Sequence, residues 1–189
     1  SELQSLALDV STRGRNLSVL FGDGAGAAIL SQESDNKKGI LSSHLHSEGE
    51  HALELAAEAP GMGKRWVTDI ISDNNPNDMS YRPYMNGKFV FKNAVVRFSE
   101  AIIEGLESNG LQKEDINMLI PHQANLRIAQ FIQRKFQLSD DQVYNNIMNY
   151  GNTTAASVII ALTEAWEKGK INDGDLVVLA AFGSGFTWG

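Results

Sequence analysis

Cysteine is absent from this 189-residue sequence. A chain without thiols cannot build a disulfide framework or a cysteine-ligated zinc site, and its own residues cannot carry out thiol catalysis. Its disulfide-free composition is compatible with a cytosolic origin. A basic surplus is missing as well, because 16 Lys and Arg stand against 23 Asp and Glu, for a net charge of −7. This balance argues against a dedicated nucleic-acid-binding protein.

Long hydrophobic runs are also missing. The longest apolar segments, residues 25–30 and 176–182, are far too short to cross a bilayer. The first residues, SELQ, lack the basic and apolar regions of a signal peptide. We therefore expect a cytoplasmic protein without membrane contact, long enough for one large domain or two small ones.

The hydrophobic pattern changes along the chain, which predicts an α/β protein. Short apolar runs near the N-terminus predict three strands, at residues 17–21, 25–31 and 40–46, the first two joined by a tight turn. Residues 47–84 are irregular, with a short helix near 52–59. From Gly87 onward the predicted order is helix, strand, helix, helix and strand. The first helix begins after Gly87 and is ended by Asn109-Gly110, and the other elements are residues 116–120, 124–136, 152–168 and 176–182.

Two of these predicted elements are expected to be deeply buried. The helix at 152–168 is apolar almost all round, and the strand at 176–182 is continuously apolar, as in strands covered on both faces. The alternation of helices and strands predicts a layered architecture. Residues 1–46 supply strands without matching helices, so they resemble the end of another unit.

Two polar side chains have unusual surroundings. His122 lies in IPHQANLR (120–127), directly after a predicted buried strand, where open α/β sheets place their ligands. Asn152 lies in NYGNTTAAS (149–157), at the predicted start of a helix. Taken singly, a lone histidine is more often structural, and Asn152 is more readily explained as an N-cap. Together, an imidazole and an amide can donate hydrogen bonds to one thioester oxygen and stabilise an enolate.

The chain closes on a glycine-rich segment, FGSGFTWG at residues 182–189. Glycines after a buried strand permit close backbone approach to a ligand, and their N–H groups can form an oxyanion hole. A flexible glycine turn is the simpler alternative. The GxSxG nucleophile motif is absent, which makes Ser184 a poor candidate nucleophile.

Residues 22–27, GDGAGA, formally match the dinucleotide-binding fingerprint. The sequence that follows leaves no room for the required helix. We therefore interpret this segment as a packed hairpin and expect no cofactor.

Metal-binding patterns are weak. His44, His46 and His51 could form a site only with converging geometry and supporting hydrogen bonds, and a strand running into a loop explains them more simply. Residues 73–78 fit a calcium loop poorly, because Asp78 and Tyr84 occupy its glycine and glutamate positions. We expect no metal.

Basic side chains gather on two predicted helices. Arg127, Arg134 and Lys135 lie on the helix after His122, and Lys88 and Lys92 lie four residues apart on an earlier one. Such a cluster in an acidic protein could dock an acidic partner. A solvated helix face is the alternative.

Four of these segments together resemble one family. Residues 21–28 (FGDGAGAA), 121–125 (PHQAN), 151–153 (GNT) and 182–189 are similar, in this order, to β-ketoacyl-acyl-carrier-protein synthase III. That enzyme initiates bacterial fatty acid synthesis. The resemblance runs from about residue 17 to the end and is weakest over 50–84.

The resemblance implies the C-terminal part of a thiolase-like α/β fold, layered α-β-α-β-α in the whole enzyme. It divides the chain into the end of the N-terminal half (1–46), a connecting segment (47–86) and a C-terminal half that is incomplete at its end (87–189). The family works as a homodimer in the cytoplasm, so a homodimer is expected.

The resemblance also implies an acyltransferase that uses a cysteine–histidine–asparagine triad. The cysteine takes an acyl group from acyl-CoA, and malonyl-acyl-carrier protein then undergoes decarboxylative Claisen condensation. His122 and Asn152 match the second and third triad members. Phe182, Gly183 and Ser184 match the acyl and oxyanion site.

Further residues match the family's channel and binding surface. Phe91 matches an acyl-channel residue. Lys88 departs from the asparagine that the family often has there. The residues matching the surface for the carrier protein and coenzyme A are Lys92, Asn125, Arg127, Arg134 and Lys135.

The absent cysteine leads us to expect a fragment that lacks the cysteine-bearing N-terminal half and is inactive alone. Such a piece leaves apolar surface uncovered, so we expect association with the missing half or with another copy. Two alternatives remain: a related synthase of quinolone or polyketide type, and a non-catalytic thiolase-like binding subunit.

Overall fold

The computed structural model describes residues 5, 8, 10, 12, 14–32, 34, 38–57 and 83–189. Its helices are α1 Arg15–Ser18, α2 Gly87–Ser108, α3 Leu126–Phe136, α4 Ile147–Tyr150 and α5 Ala156–Glu167. Its strands are β1 His46–Ser47, β2 Leu55–Ala56, β3 Tyr84–Met85, β4 Met118–Pro121, β5 Val177–Ala180, β6 Phe182–Gly183 and β7 Thr187–Trp188. Short 3-10 helices span Gly49–Glu54, Lys113–Asp115 and Asp140–Gln142.

The parallel pair β4–β5 forms the centre of a layered α/β structure. Met118 pairs with Val177, and the register continues to Pro121 opposite Ala180. Successive side chains of a strand point to opposite faces. Leu119 therefore joins the core beneath α2 and α3, whereas Met118 and Ile120 point to the opposite face and pack against α5. The predicted fold class and layered arrangement are confirmed.

Helix α2 agrees closely with its prediction. Asn86 caps its first turn, since the Asn86 Oδ1 accepts a hydrogen bond from Phe89 N at 3.3 Å. The helix stops at Asn109, and Gly110 follows with φ +66°. Positive φ is costly for other residues and easy for glycine, so Gly110 ends the helix as the sequence indicated.

The three N-terminal strand predictions are largely wrong. Residues 17–21 begin within α1 and continue as a turn, residues 25–31 form no strand, and of residues 40–46 only His46 lies in one. A strand needs a hydrogen-bonding neighbour, and hydrophobicity alone does not provide one. The side chains of Ile29 and Leu30 are 97% and 79% exposed, so this apolar run lacks the cover it would have in a sheet.

The glycine segment is packed but is not a hairpin. A Cβ on Gly22 would lie 1.9 Å from the Tyr150 carbonyl oxygen. One on Gly24 would lie 2.9 Å from Thr153 Cβ, and one on Gly26 would lie 2.8 Å from Ile159 Cβ. The alternating glycines thus let residues 22–26 lie directly against α5 and the turn before it.

Smaller corrections concern the later elements. The predicted helix near 52–59 is the 3-10 helix Gly49–Glu54 followed by β2. The strand predicted at 176–182 is split into β5 and β6, and Leu179 is 46% exposed, so it is not buried on both faces. Helix α5 buries its small residues, while Ile159 and Ile160 are half-exposed.

Two antiparallel sheets complete the description. One has the strand order β1-β7-β6, and the other joins β2 to β3. In the described residues no helix is both long and apolar enough to cross a membrane. The loop at residues 73–78 lies outside the described residues.

Candidate active site

His122 follows β4 at its carboxyl end, as the sequence predicted. Its backbone N–H donates to the Ala180 carbonyl at 2.7 Å, which extends the β4–β5 pairing by one residue. The chain then turns into α3, whose first turn is capped by Asn125. The backbone around His122 is therefore held by the central strand pair, and its imidazole is half-buried.

Within the described part of the chain, the imidazole has one side-chain hydrogen-bond partner. His122 Nδ1 lies 2.6 Å from Ser157 Oγ, and Ser157 is 2% exposed in the first turn of α5. Burial lowers the pKa of His122 from 6.5 to about 4, because desolvation disfavours the charged ring. At neutral pH the ring is uncharged, with one nitrogen as donor and the other as acceptor.

Asn152 is held on both its backbone and its side chain. Its carbonyl accepts from Gly22 N at 2.9 Å, and its N–H donates to the Leu20 carbonyl at 2.8 Å. The Asn152 Oδ1 accepts from Thr154 N at 2.8 Å. This bond identifies the oxygen end of the amide, so Nδ2 is the end that remains to donate.

The N-cap interpretation of Asn152 is wrong. Helix α5 begins at Ala156, four residues later, and its first residues are preceded by a tight turn in which Thr154 has φ +48°. The side chain of Asn152 closes that turn instead of capping the helix. This leaves the amide nitrogen available for another role.

His122 and Asn152 are connected through this turn. Asn152 Oδ1 accepts from Thr154 N, the Thr154 carbonyl accepts from Ser157 N at 3.1 Å, and Ser157 Oγ contacts His122. All three links involve residues 152–157 and the His122 ring. The two predicted side chains therefore belong to one bonded unit, although they are 30 positions apart in sequence.

The predicted acyl-site residues lie near the C-terminal strands and α2. Phe182 is 5% exposed and its ring centroid is 4.9 Å from that of Phe186. Gly183 ends β6, and Ser184 begins the turn to β7, where its carbonyl accepts from Thr187 Oγ1 at 3.1 Å. Phe91 packs half-buried against the same core as Phe182.

The predicted basic residues are all exposed. Lys88 and Lys92 lie on α2, and Arg127, Arg134 and Lys135 lie on α3, which packs against α2. Within the part of the chain that the structure describes, none of the five forms an ion pair.

Asn125 differs from these basic residues. Its Oδ1 accepts from Arg127 N at 2.9 Å and caps α3. Asn125 therefore has a structural role as the cap of α3, whereas the basic side chains have no described partner.

The histidines outside the site do not converge on one point. His44 Nδ1 and His46 Nε2 both contact Glu104, at 3.2 and 2.6 Å, whereas His51 packs edge-on against Phe89. His51 does lie near Glu48 and Glu50, within 4.8 Å between possible ligand atoms.

The Glu48 carboxylate is already engaged. Glu48 Oε2 accepts from Arg97 Nη2 at 2.7 Å, and a guanidinium at that distance disfavours a bound cation. The group near His51 therefore gives no support to a metal site.

Sequence reasoning missed two buried polar residues, Gln123 and Ser157. Gln123 is 3% exposed; its Oε1 accepts from the backbone N–H groups of Asn146 and Ile147, and its Nε2 donates to the Pro121 carbonyl at 2.7 Å. These bonds brace the loop after β4 against the chain before α4. Burial was the missing signal, since nothing in the sequence distinguishes these polar residues from exposed ones.

Comparison with known proteins gives a consistent result. Residues 1–49 match a family described as 3-oxoacyl-[acyl-carrier-protein (ACP)] synthase III, and residues 106–189 match the C-terminal part of the same synthase. The β-ketoacyl-[acyl-carrier-protein] synthase III of Caldanaerobacter subterraneus is 43% identical, over 98% of this chain and 54% of that protein.

Solved structures of related synthases also align with this chain. The 3-oxoacyl-[acyl-carrier-protein] synthase III of Aquifex aeolicus VF5 aligns with a TM-score of 0.81 at 38% identity, over 97% of this chain and 52% of that one. The priming β-ketosynthase of the R1128 polyketide biosynthetic pathway aligns with a TM-score of 0.63 at 28% identity, over 76% of this chain and 41% of that one. The chain spans about half the length of the curated relatives it matches, 54% in the first.

Proposed function

This chain belongs to the 3-oxoacyl-[acyl-carrier-protein] synthase III family, and on that premise we propose that it carries the malonyl-activating part of a condensing site. The whole protein would join an acyl group from acyl-CoA to malonyl-acyl-carrier protein and so initiate fatty acid synthesis. The observation that carries the proposal is the bonded unit of His122, Asn152 and the turn before α5. That unit links two neutral hydrogen-bond donors, the His122 ring and the Asn152 amide, through the turn before α5.

The proposed reaction begins with loss of carbon dioxide. The bond between the malonyl C2 and its carboxylate breaks, and the electron pair moves through C2 and C1 to the thioester oxygen. His122 and Asn152 would each donate a hydrogen bond to that oxygen as its negative charge develops. The enolate carbon then attacks the acyl thioester carbonyl, a carbon–carbon bond forms, and the thiolate leaves.

Neutral donors suit this step because they can stabilise the enolate by hydrogen bonds, without losing or gaining a proton themselves. Burial keeps the pKa of His122 near 4, so the ring is uncharged at neutral pH. Hydrogen bonds to a developing oxyanion are strong in a site that excludes water. The proposed chemistry requires no cofactor.

The thiol that carries the acyl group has to come from outside these 189 residues, because they contain no cysteine. Phe182 and Phe91 provide apolar surface near the C-terminal strands that is suitable for an acyl chain. The backbone at Gly183 and Ser184 would supply the acyl oxyanion site. These assignments rest on the family resemblance and on the position of the turn between β6 and β7.

Carrier-protein docking is assigned to the exposed basic residues of α2 and α3. Lys92 and Arg127 lie on neighbouring helices, and Arg134 and Lys135 lie in the last turn of α3. Cations without partners in the described structure can steer an acidic protein toward the site. Asn125 would act indirectly by fixing the first turn of α3.

The proposal is tested in the full-length protein by measuring malonyl decarboxylation and acyl transfer separately. His122→Ala and Asn152→Ala should each lower decarboxylation on the order of 100-fold to 1000-fold, as expected when a preorganised oxyanion donor is removed. Labelling of the nucleophilic thiol by acyl-CoA should persist. The 189-residue chain alone should show no condensation.

Two control variants lie outside the site. His44→Ala removes an imidazole that contacts Glu104, and Asn172→Ala removes an amide that contacts Asp175. Both control variants should decarboxylate the malonyl substrate at the wild-type rate. Condensation at near-normal rates by both His122→Ala and Asn152→Ala would overturn the proposal.

The same assays separate the alternatives. A preference for starter units and products of polyketide or quinolone type would favour a related synthase. Binding of carrier protein without turnover in the full-length protein would favour a non-catalytic subunit.

A further inference from the structure

Among the described residues, Ser157 is the one side chain that lies against the His122 ring nitrogens with hydrogen-bonding geometry. Its Oγ lies 2.6 Å from His122 Nδ1 and accepts from Gln123 N at 3.2 Å. Ser157 is 2% exposed, so water does not compete freely for the hydroxyl. No sequence motif assigns a role to this residue.

The single hydrogen of the Ser157 hydroxyl decides which group donates in the contact with His122 Nδ1. A serine hydroxyl has one hydrogen and two lone pairs, and the Gln123 N–H uses one lone pair. If Nδ1 were the donor, the Ser157 hydrogen would need another acceptor. A buried serine in a helix commonly uses the carbonyl four residues earlier, as Ser99 does with the Val95 carbonyl at 2.8 Å.

Ser157 makes no such back-bond among the described hydrogen bonds. Its hydroxyl contacts are the His122 ring and the Gln123 N–H. Leaving a buried O–H without an acceptor is unfavourable. The arrangement that satisfies every group has the Ser157 hydroxyl donating to an unprotonated Nδ1.

We infer that Ser157 is a positioning residue that fixes His122 in the tautomer with its proton on Nε2. This inference deepens the proposed function, on which its catalytic consequence rests. With Nδ1 held as an acceptor, Nε2–H is the ring's donor for the thioester oxygen. Because Ser157 lies in the first turn of α5 and Asn152 closes the turn just before that helix, two adjoining segments hold the two donors.

The depressed pKa of His122 agrees with this arrangement. Protonating the ring would place a hydrogen on Nδ1 and remove the acceptor of the Ser157 hydroxyl. Burial lowers the pKa of His122 and so acts in the same direction. Ser157 is thus expected to resist protonation of His122 as well as to orient it.

The direct test is nitrogen NMR of the imidazoles in the 189-residue chain at neutral pH. His122 should show a protonated Nε2 and an unprotonated Nδ1. In Ser157→Ala the His122 signals should shift toward a tautomer mixture, and Ser157→Thr, which keeps a hydroxyl, should restore the single tautomer. Ser99→Ala removes a buried serine elsewhere and should leave His122 unchanged.

The wild-type spectrum keeps the inference falsifiable even if Ser157→Ala does not fold. A protonated Nδ1 in the wild-type chain would overturn it, and so would a His122 spectrum unaffected by Ser157→Ala. These readouts do not depend on catalysis, so they can fail or succeed independently of the proposed condensing function.

A kinetic test uses the full-length protein. Ser157→Ala should lower kcat for malonyl decarboxylation on the order of tenfold to a hundredfold, since small misplacements of a catalytic group have effects of this size. KM should change little, and Ser157→Thr should recover most of the rate. If wild type has no activity, the proposed function fails; if wild type is active and Ser157→Ala matches it, only the catalytic role of Ser157 fails.

Discussion

At the scale of single residues, His122 shows how burial can set a protonation state. Its ring has no carboxylate partner among the described contacts, and its pKa is lowered to about 4 because desolvation penalises the imidazolium. The Ser157 hydroxyl is neutral and leaves the ring uncharged. A histidine kept neutral in this way can act as a hydrogen-bond donor over a broad range of pH.

This lowered pKa has a consequence for stability. The ordinary value of 6.5 describes the unfolded chain, and the folded value is about 4. As pH falls below about 6.5 the unfolded state takes up a proton that the folded state does not, so stability declines until the pH reaches about 4. The loss from this group has an upper limit of about 3 kcal/mol.

The measurement compares wild type with His122→Gln by denaturant unfolding of the 189-residue chain between pH 7 and pH 4. Both proteins lose stability from other groups, but His122→Gln should lose less. Parallel stability profiles for the two proteins would show that His122 is not protonated preferentially in the unfolded state.

At the scale of elements, close backbone approach joins the N-terminal segment to the site. Gly22 N donates to the Asn152 carbonyl, and Asn152 N donates to the Leu20 carbonyl, so a segment outside the named strands supports a catalytic candidate. Glycine permits this contact because a side chain would collide with the Tyr150 carbonyl. Leu20 was predicted to lie in a strand and Gly22 in the turn that follows it, yet here the backbones of both residues brace Asn152.

Gly22→Ala should break this brace. A Cβ placed 1.9 Å from the Tyr150 carbonyl oxygen forces the segment away from the turn before α5. Hydrogen exchange of the Asn152 amide should accelerate by about tenfold or more, because its bond to Leu20 is lost through local opening.

The matched control is Gly49→Ala, where an added Cβ meets nothing within 4 Å and φ is not positive. Its Asn152 amide should exchange as in wild type. Equal exchange in Gly22→Ala and wild type would show that the segment does not support Asn152.

At the scale of the whole molecule, charge and exposed apolar surface are distributed unevenly. The chain carries a net charge of −7, yet five exposed cations of α2 and α3 have no described ion-pair partners, namely Lys88, Lys92, Arg127, Arg134 and Lys135. In the N-terminal part, Ile29, Leu30 and Ile40 are 97%, 79% and 73% exposed. Such apolar exposure favours association with another surface.

We expect the 189-residue chain to associate as its concentration rises, as measured by sedimentation velocity. The double variant Ile29→Gln with Leu30→Gln should weaken association without loss of stability, because both side chains are exposed. Leu53→Gln is the matched control, since Leu53 is 64% exposed in the 3-10 helix before β2. A wild-type chain that stays monomeric, or an equal effect of the control, would contradict the expectation.

Local patterns predicted the later elements well and the early ones poorly. Helix α2 was recognisable because its apolar residues recur with helical spacing and Asn109-Gly110 ends it. The strands expected at 17–21 and 25–31 failed because the same apolar runs require a neighbour that no local pattern specifies. Asn152 was placed at a helix start for a similar reason, since the turn closed by its own side chain was not visible in the sequence.

The sequence by itself determined the layered class of the fold and singled out His122 and Asn152 as candidate site residues, because caps, periodicity and short motifs act over a few residues. Tertiary structure alone decided that Ser157 contacts the His122 ring, that Gln123 braces its loop and that Gly22 supports Asn152. These contacts join residues distant in the chain. Their partners are selected by packing between elements, and burial then makes each hydrogen bond specific.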